Sequence, residues 1–134
     1  EYDIIEQVSL DELYRRSDII SLNCSENPSS VGIINKESIA KMKDGVIIIN
    51  DARGSLIVEE DLEKALYSGK VYAAGLDATS FDTKKKHIPL MDCPNTRITS
   101  HIAWFPMEAR MRDIQIAAEN LKNYLSGNPT SVIA

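Results

Sequence analysis

The sequence predicts an α/β fold, a doubly wound sheet of parallel strands, on three observations. Short apolar runs recur along the chain, helical patterns with start and stop signals lie between them, and a longer amphipathic segment closes the sequence. The runs are residues 18–23 (DIISLN), 45–51 (GVIIIND), 71–77 (VYAAGLD) and 96–100 (TRITS), with a weaker fifth at 4–8. Three of them are nearly continuous in apolar residues instead of alternating. A strand covered on both faces reads that way, and the pattern implies a parallel sheet.

The helices follow in order. Ser9 stands before Leu10, Leu13 and Tyr14 with Glu12 three residues on, the spacing of a capping box. Asn35 stands before Ile39, Ala40 and Met42. Residues 58–67 carry Leu62, Ala65 and Leu66 and stop at Gly69. Residues 107–125 repeat apolar side chains at Met111, Ile114, Ala117, Ala118, Leu121 and Leu125, then meet Gly127 and Pro129, which predicts a long amphipathic C-terminal helix. In such a sheet ligands sit in the crevice beyond the carboxyl ends of the strands. Those ends carry Asn23-Cys24-Ser25, Asn50-Asp51-Ala52-Arg53-Gly54, Asp77-Ala78-Thr79 and Ser100-His101-Ile102-Ala103-Trp104.

Composition narrows the function classes. A chain of 134 residues, 43% hydrophobic and 26% charged, has the make-up of one globular domain with a real core. Fifteen basic against 20 acidic residues give a net charge of -5, and the bases are scattered apart from Lys84, Lys85 and Lys86. No partner of nucleic acid or anionic membrane is expected from that distribution. The longest apolar stretch, residues 46–49, is far short of the ~20 residues a membrane span needs, and the opening Glu1-Tyr2-Asp3 is unlike a leader, so a cytoplasmic chain is expected. Cys24 and Cys93 form no CxxC pair and are expected as free thiols. His87 and His101 with two lone cysteines give no metal-ligand spacing, and the serines lack the GxSxG turn of a hydrolase.

The chemistry lies at the strand ends. Arg53 follows an apolar strand directly and precedes Gly54, so its guanidinium is expected in the crevice. Its paired N–H donors match the two oxygens of a carboxylate; the plainer reading is a structural ion pair with a neighbouring acid. His101, just past a strand and beside Ile102 and Ala103, is a candidate acid/base or else a satisfied core histidine. Asp77 and Asp82 follow the third strand, and one of them can hydrogen-bond His101 and fix its tautomer. Carboxylate, histidine and arginine around one crevice suit reduction of an α-keto acid, with the hydride coming from a cofactor.

The order of motifs resembles the D-isomer-specific 2-hydroxyacid dehydrogenases over nearly the whole chain. The resemblance rests on SLDELYRRSDIISLNCSENPSSVGIIN, on KMKDGVIIINDARGSLIVEEDLEKALYSGKVYAAGLD, and on SHIAW followed by EARMRDIQIAAENLKNYLSGNP. It implies a Rossmann-type sheet, NAD as cofactor and a small 2-keto or 2-hydroxy acid as substrate. Carried over residue by residue, Arg53 matches the substrate-carboxylate arginine, His101 the acid/base histidine and Asp77 the aspartate near the nicotinamide carboxamide. Asp82 falls where the catalytic glutamate usually stands, with Thr83 in place of a proline. Asn23, Cys24, Asp51, Ala52 and Ala103 fall on the cofactor face.

Several positions depart from the family pattern. Asn23 and Ser25 replace a His and a Pro, Asp51 replaces a small residue before the Ala-Arg-Gly, and Ser100 replaces the proline before the histidine. An acid at Asp51 competes with substrate for Arg53 unless it points elsewhere. No GxGxxG occurs in the 134 residues, so the resemblance implies the C-terminal portion of a dinucleotide-binding domain over residues 1–134, an incomplete sheet lacking the glycine-rich loop and the N-terminal substrate domain. As an isolated chain it is expected to bind NAD poorly and to turn nothing over. An open edge at residues 18–23 is expected to pair with another copy in a homo-oligomer. The alternative function is a non-enzymatic dinucleotide-binding interaction module, like the family's corepressor members.

Overall fold

The computed structural model describes residues 5–79 and 87–132, and these fall into two compact units, residues 1–101 and 102–134. The first unit is a four-stranded parallel sheet in the order β1-β2-β3-β4, with β1 Ile19–Leu22, β2 Val46–Asn50, β3 Val71–Leu76 and β4 Thr96–Ile98. Helix α1 (Leu10–Arg16) precedes β1, and helices α2 (Lys36–Lys41) and α3 (Glu59–Ser68) with two short 3₁₀ turns, Gly54–Leu56 and Pro89–Met91, lie in the connections between strands. Strand order equal to chain order, joined by right-handed crossovers, puts consecutive crossovers on one face.

Burial along the strands follows that winding. Val46, Ile48 and Asn50 are buried while Ile47 and Ile49 are half-buried, and Ile20 and Leu22 are buried while Ile19 is exposed. Within the described residues one sheet face is therefore packed and the other only partly covered, so the continuous apolar runs do not mark strands buried on both faces here. The core on the packed face includes Tyr14, Ile39, Leu62, Ala65 and Leu66 from the three helices and Met42 from the C-cap of α2. A register shift between Val46 and Ile47 sets Ile48 beside Ala74 and Asn50 beside Leu76. That alignment places Asp77 one residue past the end of β2.

Residues 5–8, taken from sequence as part of a fifth strand, form no strand and pair with none of the four in the sheet. Glu6 instead binds Arg16. The predicted capping box at α1 is half made: Ser9 accepts the Glu12 N–H at 3.3 Å, but the Glu12 carboxylate turns to Arg16. At α2 the box is complete, Asn35 and Ser38 each bonding the other's backbone N–H. Strand β4 stops at Ile98, short of the expected residue 100.

The second unit contains α4, Met107–Leu125, with the boundaries expected from sequence. Before it Trp104 and Phe105 meet edge to face at 5.3 Å, and the Arg110 guanidinium lies 4.6 Å from the Phe105 ring centroid. No helix among the described residues is long and apolar enough to cross a membrane.

Candidate functional site

Two recesses open at the carboxyl ends of the strands. The first, about 480 Å³, lies beyond β1 and β2 and is lined by residues 23–26 and 51–53. It brings Asn23, Cys24, Asp51, Ala52 and Arg53 together. The loop after β1 is fixed by its own polar groups: Ser30 Oγ donates to the Ser25 carbonyl at 2.7 Å and accepts from the Asn27 N–H at 2.9 Å. Asn23 is exposed and its carboxamide donates to Ser21 Oγ. Cys24 is an exposed free thiol.

Arg53 leaves β2 with extended backbone, φ -142° and ψ 142°, just before the Gly54–Leu56 turn. Its side chain is exposed, and Nη1 donates to the Ala52 carbonyl at 2.7 Å. Among the described residues it forms no ion pair, neither with Asp51 nor with another acid, so the reading of Arg53 as a structural ion pair finds no partner.

The second recess, about 570 Å³, lies beyond β3 and β4 and includes Asp77, Thr79, Thr99 and His101, with Met91 and Ile98 as apolar lining. Asp77 is only 6% exposed, and Thr99 Oγ1 donates a short hydrogen bond to its carboxylate. The Asp77 carbonyl accepts the His101 N–H at 3.1 Å. His101 has φ +59°, the left-handed region that costs a non-glycine residue about 1–2 kcal/mol. Strain kept at a polar strand end is a mark of sites whose side-chain direction matters.

Asn50 joins the two recesses. Its backbone carbonyl accepts from the Asp77 and Ala78 N–H groups at 2.9 and 3.3 Å, while its side chain bonds the Ala52–Arg53 turn. Neither Asn50 nor Thr99 stood out as a site residue in the sequence. Asn50 had a signal: counting by two from Val46 and Ile48 puts a polar residue on the buried face. Thr99 lies past the end of β4 and had none. Asp82, the predicted orienting acid, falls outside the described residues, and Ala103 belongs to the second unit. Among the described residues no group of three or more His, Cys, Asp or Glu side chains is placed to hold a metal.

A parallel α/β sheet with polar recesses at its strand ends defines a nucleotide-binding class of domain. The chain belongs to the D-isomer specific 2-hydroxyacid dehydrogenase family, in its NAD binding domain, whose family model matches residues 1–103. It is 54% identical to a hydroxypyruvate reductase of Blautia hydrogenotrophica over 126 residues, covering 94% of this chain and 39% of that protein. It is 40% identical to the human glyoxylate reductase/hydroxypyruvate reductase over 124 residues, 92% of this chain and 38% of the relative. Among solved structures, an acyclic imino acid reductase in complex with NADPH and D-Arg superposes with a TM-score of 0.88 at 34% identity, covering 97% of this chain and 41% of that one. D-2-hydroxyisocaproate dehydrogenase superposes with a TM-score of 0.84 at 29% identity, over 93% and 42% of the two chains. The chain thus spans about two fifths of the length of the curated relatives it matches.

Proposed function

We propose that the protein is an NAD-dependent oxidoreductase that interconverts a small 2-keto acid and its D-2-hydroxy acid. The observation that carries this reading is Arg53: an exposed guanidinium at a strand end, with no carboxylate partner among the described residues, is available for the carboxylate of a substrate. His101 serves as the acid/base, giving a proton to the carbonyl oxygen in reduction and taking it back in oxidation. Asp82 takes the place of the orienting acid and supports the protonated imidazole. The nicotinamide, when bound, supplies the hydride.

The donor set fits that end of a dinucleotide. Asp77, Asp51 and Asn23 offer acceptors and donors for amide and ribose hydroxyl groups, while Cys24 and Ala52 contribute small side chains to the recess of Asp51 and Asn23. The chemistry of the relatives agrees, since hydroxypyruvate and glyoxylate are small 2-keto acids. The test is NADH consumption by the protein expressed from its full reading frame, offered glyoxylate, pyruvate and hydroxypyruvate. Turnover is expected, with His101→Ala abolishing it. Arg53→Gln is expected to lower kcat/KM by about a hundredfold through loss of a charge-assisted pair of bonds. NADH binding without turnover would point instead to a dinucleotide-sensing module.

Two finer features belong to the same reading. The outer edge of β1 has no strand partner among the described residues, and Ile19 on it is 57% exposed, which supports pairing with a second copy. Light scattering should then show a homo-oligomer, and a monomer at every concentration would exclude it. Two free thiols, one of them exposed, suit a reducing cytoplasm.

A further inference from the structure

We infer that Asn50 is a positioning residue for Arg53, fastening the turn that carries the guanidinium to the end of β3; the inference rests on the reading of Arg53 as the substrate anchor. Asn50 closes β2 on its buried face and is 0% exposed. Burying a carboxamide is unfavourable unless its polar atoms are bonded, and an aliphatic side chain there would extend the core begun by Val46 and Ile48. Each bond Asn50 makes with its side chain goes instead to a strand-end turn. Nδ2 donates to the Arg53 carbonyl at 2.8 Å and, more weakly, to the Ala78 carbonyl at 3.4 Å; Oδ1 accepts the Ala52 N–H at 3.1 Å.

Those contacts bracket the arginine. Arg53 rests its Nη1 on the Ala52 carbonyl, in the residue whose N–H Asn50 holds, and presents its own carbonyl to the same carboxamide. Both the backbone from which the side chain departs and its resting partner are therefore set by one buried group. Through its backbone carbonyl the same residue holds the N–H groups of Asp77 and Ala78, so the arginine turn and the end of β3 are tied at a single point. Positioning to within a fraction of an ångström is what such a support contributes to catalysis.

Two variants test this in the protein expressed from its full reading frame. Asn50→Ala removes the side-chain bonds; Asn50→Asp keeps the volume but turns an acceptor toward the Arg53 carbonyl, and only its protonated form can donate there. In both, the KM for the 2-keto acid is expected to rise about tenfold with a smaller fall in kcat, the signature of a misplaced binding group. Asn50→Ala should add little to Arg53→Gln in the double variant. Burial raises the pKa of the new carboxyl, so the KM of Asn50→Asp should climb with pH as it ionises, relative to the wild type. An unchanged KM in both variants, or effects that multiply in the double variant, overturns the inference.

Native-state hydrogen exchange of the wild type supplies a readout that needs neither a folded variant nor turnover. The amides of Ala52 and Ala78, held by the side chain and backbone of Asn50, should share one opening equilibrium and similar protection. Ala52 exchanging more than about tenfold faster than Ala78 would show that the two turns move apart and would overturn the tie. If the reductase reading itself is wrong, neither wild type nor Arg53→Gln consumes NADH, and the exchange comparison alone decides the role of Asn50.

Discussion

Cys24 and Cys93 carry the same thiol in opposite surroundings. Cys24 is exposed beside Arg53, whereas Cys93 is 7% exposed, its Sγ sits 3.7 Å from the Pro89 carbonyl, and burial pushes its thiol up from the ordinary value. Alkylation follows the accessible thiolate, so iodoacetamide should label one equivalent rapidly in the native state and the second only after unfolding. Mass mapping that found Cys93 labelled first would contradict the packing. Because Cys24 lines the recess of Arg53, that label should also block substrate turnover. At this scale the sequence marks the side chains proposed to react and hides their supports. Arg53, Asp77 and His101 stand at apolar run ends, where a one-dimensional reading finds them. The Thr99 bond to Asp77 and the left-handed backbone of His101 arise from contacts 22 residues apart or from a local dihedral, and neither leaves a pattern in the chain.

Helices α2 and α3 show which elements a sequence specifies by itself. Helix α3 ends where Gly69 adopts φ +78°, with nothing within 4 Å of the position a Cβ would take. The cost of Gly69→Ala is then a backbone cost alone, about 1 kcal/mol, read as a lower midpoint in urea with an unchanged slope. Asn35→Ala should cost a similar ~1 kcal/mol, because it leaves the Ser38 N–H without its cap. Local signals of this kind fixed α3 and α4 to within a residue of their observed bounds. The fifth strand failed for the complementary reason. A strand is defined by its pairing, and residues 5–8 have the composition of one but enter no ladder of the sheet. The half-made capping box at α1 is a contest at one side chain: Glu12 binds Arg16, one turn on, in preference to the backbone N–H of Ser9.

For the molecule as a whole, ionisation should limit stability from both sides, by different physics. On the acid side Lys41 holds Asp11 below its ordinary value of 3.8, Lys70 does the same for Asp44, and Arg16 lowers Glu6 from 4.5. In each case the unfolded chain takes up the proton first, so stability present above these values is lost as pH falls through and below them. These pairs are solvent-exposed, and their contribution is small and screened by salt. On the alkaline side burial raises Tyr14 above 10.0 and Cys93 above 9.0. Here the unfolded chain loses the proton first, so stability is complete below pH 9 and is lost as pH rises beyond it. Thermal melts across pH should therefore give a plateau that falls at both ends. Adding 0.5 M salt, about three times physiological strength, should weaken the ion pairs and lower the plateau, flattening the acid limb toward it while leaving the alkaline limb steep. Tyr14→Phe supplies the control: it should flatten the alkaline limb and lower the plateau by about 1 kcal/mol, since the Tyr14 hydroxyl donates to the Ile33 carbonyl at 2.9 Å. An alkaline limb that vanished in salt would mean that charge pairs, not burial, set the upper limit.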